Sequence, residues 1–331
     1  MKILIFEFIT GGGLAQKEIP ESLFNEGQIM LKALLPDLIS LPHIQLTLLL
    51  DCRNSELDIP EKINVVWVSN EQNIDQLLPE LIEASDFVWP VAPEMGLELY
   101  KVSALVESKA KRLLNSSSQA VAICSDKLLT AQRLKKNGLA VVETHLLDGF
   151  SQIIEGGGAW VIKPKDGVGC LNTYLVSSQN ELDRVNSQIE DKSHYIIQPY
   201  ITGEPLSLSC LFKNGKAWLI CCNRQHVAIK QNKFELEACE VNISNNKREL
   251  YQQIIEKTAQ SISGLWGYVG IDIIQPEFDM PLILEINPRL TTSFAGINKA
   301  TGLNIGKEVI NLVDNKPAIQ HTHNKQVIIQ L

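Results

Sequence analysis

The apolar positions of this chain fall into two textures. In the first third, short continuous runs alternate with longer stretches of helical spacing. Residues 2–8 form a run that ends at Gly11-Gly12-Gly13. Residues 23–35 carry apolar side chains at helical intervals and stop before Pro36. Residues 45–50, 65–68 and 86–90 read as further strands, and residues 73–84 as a helix. Strands alternating with helices imply βαβ units and a parallel sheet, so residues 1–115 read as an open, Rossmann-like α/β lobe.

After Ser116-Ser117-Ser118 the pattern changes. A helix is expected over residues 126–137, with Gly138 as its cap. Short strands follow at 159–165, 172–176, 195–200, 206–212 and 217–223, and Asn214-Gly215 is a hairpin signal. Residues 247–262 have the pattern of an amphipathic helix, and 267–275 with 282–287 form a closing pair of strands. The last ten or so residues, with His321, His323 and Lys325, are expected to fray.

Composition narrows the function. At roughly 100–200 residues per domain, 331 residues give two or three lobes. With 45% hydrophobic and 21% charged residues, the chain is neither disordered nor collagen-like. Its net charge of −8 leaves no broad basic field for nucleic acid, though a local basic pocket for a small anion stays compatible. Seven cysteines without a C-x-x-C argue against a disulfide framework or a zinc knuckle and point to a reducing cytoplasm. Glu7 interrupts the opening apolar run, which therefore reads as a strand and not a signal peptide. The longest apolar runs fall far below the roughly 18 residues of a membrane span, so no membrane partner is expected.

The most informative chemistry lies near the C-terminus. A hairpin centred on Phe278 and Asp279 sets Asp272 directly across from Glu285, with Cβ atoms about 4.5–5.5 Å apart. Asn287, two residues beyond Glu285, points from the same face. Opposed carboxylates repel unless a cation lies between them. Two carboxylates and an amide oxygen suit Mg²⁺, which keeps waters and completes its shell with substrate phosphates. A rigid Pro288 and the permanent cation Arg289 follow at once.

A second feature is Lys163, delivered by a strand just before a loop containing Asp166, Gly167 and Gly169. Backbone N–H groups of such loops wrap phosphate oxygens, and a lysine adds point charge. Lys127, behind Asp126 at a helix start, is either a second phosphate cation or a surface lysine beside a capping acid. The segment from Gln198 to Glu204 reads, from its own residues, as a strand end entering a turn.

Taken in order, Lys127, Lys163, the glycine loop, Gln198-Pro-Tyr-Ile-x-Gly-Glu204, Asp272 and Glu285-x-Asn287-Pro-Arg289 resemble the ATP-grasp superfamily along the whole chain. The resemblance implies an N-terminal lobe (1–115), a small subdomain with a phosphate loop (116–200), a large subdomain with a metal site (201–320) and a tail (321–331). It implies Lys127 and Lys163 on the phosphates of ATP, residues 166–169 as the phosphate loop, and Gln198, Tyr200 and Ile201 in a hinge that bonds adenine through its backbone. Glu204 becomes the ribose acid, and Asp272, Glu285 and Asn287 the ligands of Mg²⁺ or Mn²⁺. Val168 and Cys170 stand where Gly and Ser are common in that superfamily.

The opening Phe6-Glu7-Phe8-Ile9-Thr10-Gly11-Gly12-Gly13 and the Glu285–Arg289 motif look most like the tyramine–glutamate ligase group, which makes γ-glutamyl amides for methanofuran-type one-carbon cofactors. Pyrrolysine-ligase-like proteins share much of the pattern. The implied reaction is carboxylate–amine ligation through an acyl phosphate, with small-molecule substrates and a homodimer as expectations. Arg289, and after it Arg224, are the candidates to stabilise the oxyanion, with Lys163 on the transferring phosphoryl group. Glu7, Thr10, Gly11 and Gly12, just past the first strand, are either a substrate-binding loop or a tight turn. Two other readings are a non-catalytic ATP-binding module and a dinucleotide-dependent oxidoreductase. The second lacks the G-x-G-x-x-G spacing, and its nearest strand-end acid, Asp51, lies too far along.

Overall fold

The opening run becomes strand β1 (Lys2–Glu7), central in a five-stranded parallel sheet. A computed structural model describes residues 1–150 and 158–331. Helix α1 (Glu21–Ile39), β2 (Gln45–Asp51), β3 (Ile63–Val68), α2 (Ile74–Glu83), β4 (Phe87–Val91), α3 (Glu98–Ser108) and β5 (Arg112–Leu113) complete this lobe, in the strand order β3-β2-β1-β4-β5. The continuous apolar run of β1 is explained by burial on both faces. Ile3 and Ile5 pack with Met30, Leu31 and Leu34 of α1, while Leu4 and Phe6 pack with α2 and α3.

The remaining chain adds α4 (Ser118–Cys124), α5 (Lys127–Lys136), β6 (His145–Leu146), β7 (Trp160–Pro164), β8 (Tyr174–Val176), α6 (Gln179–Gln188), β9 (Tyr195–Pro199), β10 (Glu204–Lys213), β11 (Lys216–Lys230), β12 (Lys233–Val241), α7 (Arg248–Ser261), β13 (Gly267–Gln275), β14 (Leu282–Asn287), α8 (Phe294–Thr301), α9 (Ile305–Asn311) and β15 (Val327–Gln330). Its strands run β14-β13-β10-β11-β12-β8-β7-β9-β6, with β15 on β12. Two antiparallel blocks meet here, β7–β9 packed on α6 and β10–β14 packed on α4, α5 and α7. They join through a single register pair, Lys233 opposite Tyr174. The fold is thus a parallel α/β lobe, as the pattern predicts, followed by an antiparallel α+β unit in two blocks, as the resemblance implies.

Four local expectations are corrected. Helix α1 does not stop before Pro36 but continues to Ile39. Tertiary bonds hold its end: Asp37 accepts from Gly306 N (3.0 Å) and Asn298 Nδ2 (3.1 Å), and Leu34, Leu35 and Leu38 share a core with Ile305 and Val309. The strand expected to end at residue 223 runs to Lys230, turns through Gln231 and Asn232, both at positive φ, and returns as β12. Helices α3, α4, α6, α8 and α9 form where no helix is marked by the pattern. The closing residues do not fray, since β15 pairs with β12 from Ala238 to Val241.

The turn after β1 is built around a buried carboxylate. Glu7 is 2% exposed and accepts hydrogen bonds from Thr10 N (2.6 Å), Thr10 Oγ1 (2.5 Å) and Ile9 N (3.3 Å). It fits against Gly27 of α1, where an added Cβ would lie 2.6 Å from Glu7 Oε2. Glycine to alanine inside a helix normally stabilises by about 0.5–1 kcal/mol. At this position the pinned carboxylate reverses the sign, and Gly27→Ala is expected to destabilise by about 1–3 kcal/mol through overpacking. Urea unfolding checks this; a higher midpoint than wild type would show that Glu7 yields freely.

Candidate active site

A cavity of about 410 Å³ opens between the two antiparallel blocks. Its polar floor follows from strand alternation. Ser207, Asp272 and Glu285 lie in one row across β10, β13 and β14, with Ser207 paired to Asp272 and Asp272 to Glu285. The neighbours Leu206, Leu208, Ile271, Ile273, Ile283 and Ile286 fill the core on the opposite face. The register at Asp272 and Glu285 is the one predicted, and a bulge after Asp272 shifts the rest of the hairpin by one residue. Asn287 donates Nδ2 to Asp272 Oδ2 (3.1 Å), and Gln225 donates Nε2 to Asp272 Oδ1 (3.2 Å).

Two lysines meet the carboxylates from the other side. Lys127, the first residue of α5, reaches Glu285 Oε2 (3.2 Å) and the Gly167 carbonyl (2.7 Å). It is 7% exposed, which removes the surface-lysine alternative. Lys163 of β7 is 8% exposed; burial brings its ammonium down to about 8, against the opposing pull of Glu285. Burial also acts on both acids, with different outcomes. Burial and the neighbouring Glu285 raise the pKa of Asp272. For Glu285 the two lysines outweigh burial, and its pKa falls. The pair therefore favours the uptake of one proton or of a cation.

That arrangement fits Mg²⁺. Two opposed acids and an amide supply hard oxygen donors, and the raised pKa of Asp272, caused by burial and by Glu285, reflects negative charge that a cation would balance. Among the described residues no group of three or more His, Cys, Asp or Glu side chains converges as a metal cage. A sparse protein shell suits an ion that keeps waters and takes phosphate oxygens from its substrate.

The other candidates divide. Gly167, Gly169, Gln198, Tyr200, Ile201 and Arg289 line the cavity together with Lys127, Lys163, Asp272, Glu285 and Asn287. Tyr200 donates its backbone N–H to the Ala159 carbonyl (2.8 Å), so that amide of the hinge is already engaged. Asp166 is not part of the lining; it accepts from Gly96 N (3.0 Å) and ties the loop to the N-terminal lobe. Glu204 and Arg224 also lie off the lining, bonded to each other (2.6 Å), with Arg224 further held by Glu240 (2.7 Å). Glu7, Thr10, Gly11 and Gly12 do not reach the cavity, and their geometry is that of the tight turn. Cys170 lines the loop, but burial pushes its thiol up to about 11, which leaves it a poor nucleophile.

Three features escape the sequence pattern. Val227, Ile229, Phe234 and Leu236, on the extended β11–β12 arm, form an apolar wall of the cavity. Their period-2 alternation around Gln231-Asn232 is the signal that marks them. Glu94 clamps Arg289, with Nε at 3.0 Å and Nη2 at 2.7 Å, and both side chains are largely buried. Glu26 of α1 lines the cavity from the N-terminal lobe. No local signal distinguishes these last two acids from surface glutamates.

The raised pKa of Asp272 has a stability consequence. Its favourable contribution is complete below the unfolded carboxylate pKa of about 3.9 and is lost as pH climbs toward the higher folded value. Asp272→Asn removes that loss. In EDTA at pH 8 the variant is expected to melt above wild type, with the gap narrowing toward pH 5. A variant less stable than wild type at pH 8 would contradict the assigned protonation.

Comparison with known proteins identifies the family and the fold. The model of the ATP-grasp domain matches residues 124–293, over half of the chain, and that of the pre ATP-grasp 3 domain matches residues 44–121. A tyramine–L-glutamate ligase of Methanocaldococcus fervens is 28% identical over 304 residues, 91% of each chain. A D-alanine–D-alanine ligase of Clostridium beijerinckii is 25% identical over 58% of this chain and 67% of its own. A crystal structure of an ATP-grasp superfamily protein from Archaeoglobus fulgidus superposes with a TM-score of 0.74 at 23% identity, covering 100% of this chain and 92% of that one. The biotin carboxylase domain of Hydrogenobacter thermophilus 2-oxoglutarate carboxylase, solved with MgADP, gives 0.76 at 15% identity over 99% of this chain and 73% of that one. No helix among the described residues is long and apolar enough to cross a membrane. The chain belongs to the ATP-grasp family and is an ATP-dependent carbon–nitrogen ligase.

Proposed function

We propose that the chain joins the carboxylate of L-glutamate to tyramine or a related amine through an acyl phosphate, releasing ADP and phosphate. The carrying observation is the meeting of Lys127, Lys163, Asp272 and Glu285 in one cavity, with Lys127 touching both the glycine loop and a carboxylate. The choice of substrates is supported by the tyramine–L-glutamate ligases that match about nine-tenths of the chain. The γ-glutamyl amide of a methanofuran-type cofactor is the corresponding product. A homodimer, a cytoplasmic location, and the lobes 1–115, 116–200 and 201–320, the last completed by β15, belong to the same proposal.

In this reading the apolar wall of Phe234 and Leu236 faces the adenine, beside the hinge at Gln198 and Ile201. Lys127, Lys163 and the backbone of Gly167 and Gly169 hold the phosphates. Asp272, Glu285 and Asn287 hold Mg²⁺, or Mn²⁺ in its place; when bound, the ion neutralises charge on the transferring phosphoryl group. A substrate carboxylate oxygen attacks the γ-phosphorus and the bond to ADP breaks. The amine then attacks the acyl carbon and phosphate leaves. Arg289 spends part of its five-donor fork on Glu94 and the Leu290 carbonyl, and the remaining N–H groups are available to the developing oxyanion. Arg224, clamped by two glutamates away from the cavity, is set aside for this role.

With purified protein, ATP, Mg²⁺, L-glutamate and tyramine, ADP release is expected to require both substrates and to match amide formed. Glu285→Gln should keep the fold and lower turnover by about 10²–10³-fold, as for removal of a charge-stabilising group. Binding of ATP without consumption across a panel of amino acids and amines would favour the non-catalytic module.

A further inference from the structure

The cavity has two ends. One is the apolar pocket between the hinge and the β11–β12 arm. The other is where the lining residues Arg289 and Thr292 neighbour Glu26. Among the described residues, Glu26 is the lining residue supplied by the N-terminal lobe.

Among the described residues no cation is hydrogen-bonded to it. Arg289 lies nearby and attracts its charge, but the hydrogen bonds of that guanidinium go to Glu94 and the Leu290 carbonyl rather than to Glu26. The side-chain hydrogen bond to Glu26 comes from Thr292 Oγ1 at 3.5 Å, the outer limit of such a contact. Burial raises the pKa of Glu26 despite the pull of Arg289. Glu26 also stands beside the phosphate loop: a Cβ added to Gly169 would lie 3.4 Å from Glu26 Oε1, and the Cys170 thiol feels its charge together with those of Glu285, Lys163 and Asp272. A weakly bonded carboxylate thus faces the side of the loop where acyl transfer would occur.

We propose that Glu26 is a catalytic residue that binds the ammonium form of the attacking amine and takes its proton. This deepens the ligase reading and rests on it. An amine reaches the site mostly as R–NH₃⁺, which has no lone pair for attack. Glu26 accepts one proton and becomes a carboxylic acid. The freed amine forms the C–N bond to the acyl carbon, the C–O bond to phosphate breaks, and the second nitrogen proton leaves with the phosphate as HPO₄²⁻. Glu26 then returns its proton to solvent. A half-buried carboxylate with a raised pKa suits both steps, since it binds a cation and is a stronger base than an exposed acid.

Hydroxylamine separates this claim from the reading beneath it. It is largely neutral at pH 7.5, needs no base, and traps acyl phosphates as hydroxamates. With ATP, Mg²⁺ and L-glutamate, the Glu26→Gln variant is expected to form hydroxamate within about twofold of wild type. With tyramine, its amide formation should fall by about 10²-fold or more, the usual scale of general-base loss. Glu26→Asp should recover part of that loss, and equal melting temperatures would show that the fold is kept. An unchanged amide rate, or an equal fall in hydroxamate and amide, would overturn the assignment. Absence of hydroxamate from the wild-type protein would instead sink the acyl-phosphate reading itself.

Discussion

The site depends on two carboxylates placed opposite each other where water is scarce. Asp272 and Glu285 pair directly on β13 and β14, and neither repulsion nor burial can be relieved by moving the strands, because Ile271, Ile273 and Ile283 lock the opposite face into the core. What remains is to protonate one acid or place a cation between them. Lys127, from α5 of the same block, and Lys163, from β7 of the other, pull the pKa of Glu285 down. A hairpin, a helix N-terminus and a strand before a glycine loop are thereby coupled through charge. The preorganised protein carries a structural conflict that its ligand resolves, a common feature of functional sites.

The same constraint explains how the N-terminal lobe is attached. Arg289 follows β14 as a largely buried cation, with Glu26 and Glu285 near enough to attract it. Glu94, just past β4, supplies the balance through a bidentate contact between residues 195 apart in sequence. Breaking such a buried pair typically costs about 3–5 kcal/mol, since the remaining charge is stranded. Asp166 bonded to Gly96 makes a second tie from the phosphate loop to the same region. The lobe therefore closes the cavity at the end where Glu26 enters, while α1 is held against α8 and α9 by Asp37 and a shared apolar core.

The sequence makes the short-range rules legible. The parallel lobe follows from the apolar runs at the centres of β1, β2 and β4, and the opposition of Asp272 and Glu285 from the turn centre and the antiparallel pairing rule. The phosphate-side lysines are legible only through the order of motifs, since Lys127 taken alone looks like a surface residue. What is not legible depends on distant partners. Pro36 signals a helix end, yet Asp37 bonded to Gly306 carries α1 through it. Residues 327–330 look like a tail because nothing local reveals β12 waiting for an edge partner. Glu7 looks available at a strand end, but Thr10 and Gly27 enclose it, and the acid that does line the cavity is Glu26, one position before that glycine. The β11–β12 arm is an exception, for its alternating pattern is present in the chain and is masked by the charges that flank it.

If a cation replaces the proton on Asp272, its arrival must expel that proton. Calorimetric titration of MgADP at pH 7 in buffers of different ionisation enthalpy measures the exchange directly. About one proton released per bound ion is the expected result, with the release abolished in Asp272→Asn. Binding without proton release, or release unchanged in the variant, would contradict the central role given to the carboxylate pair.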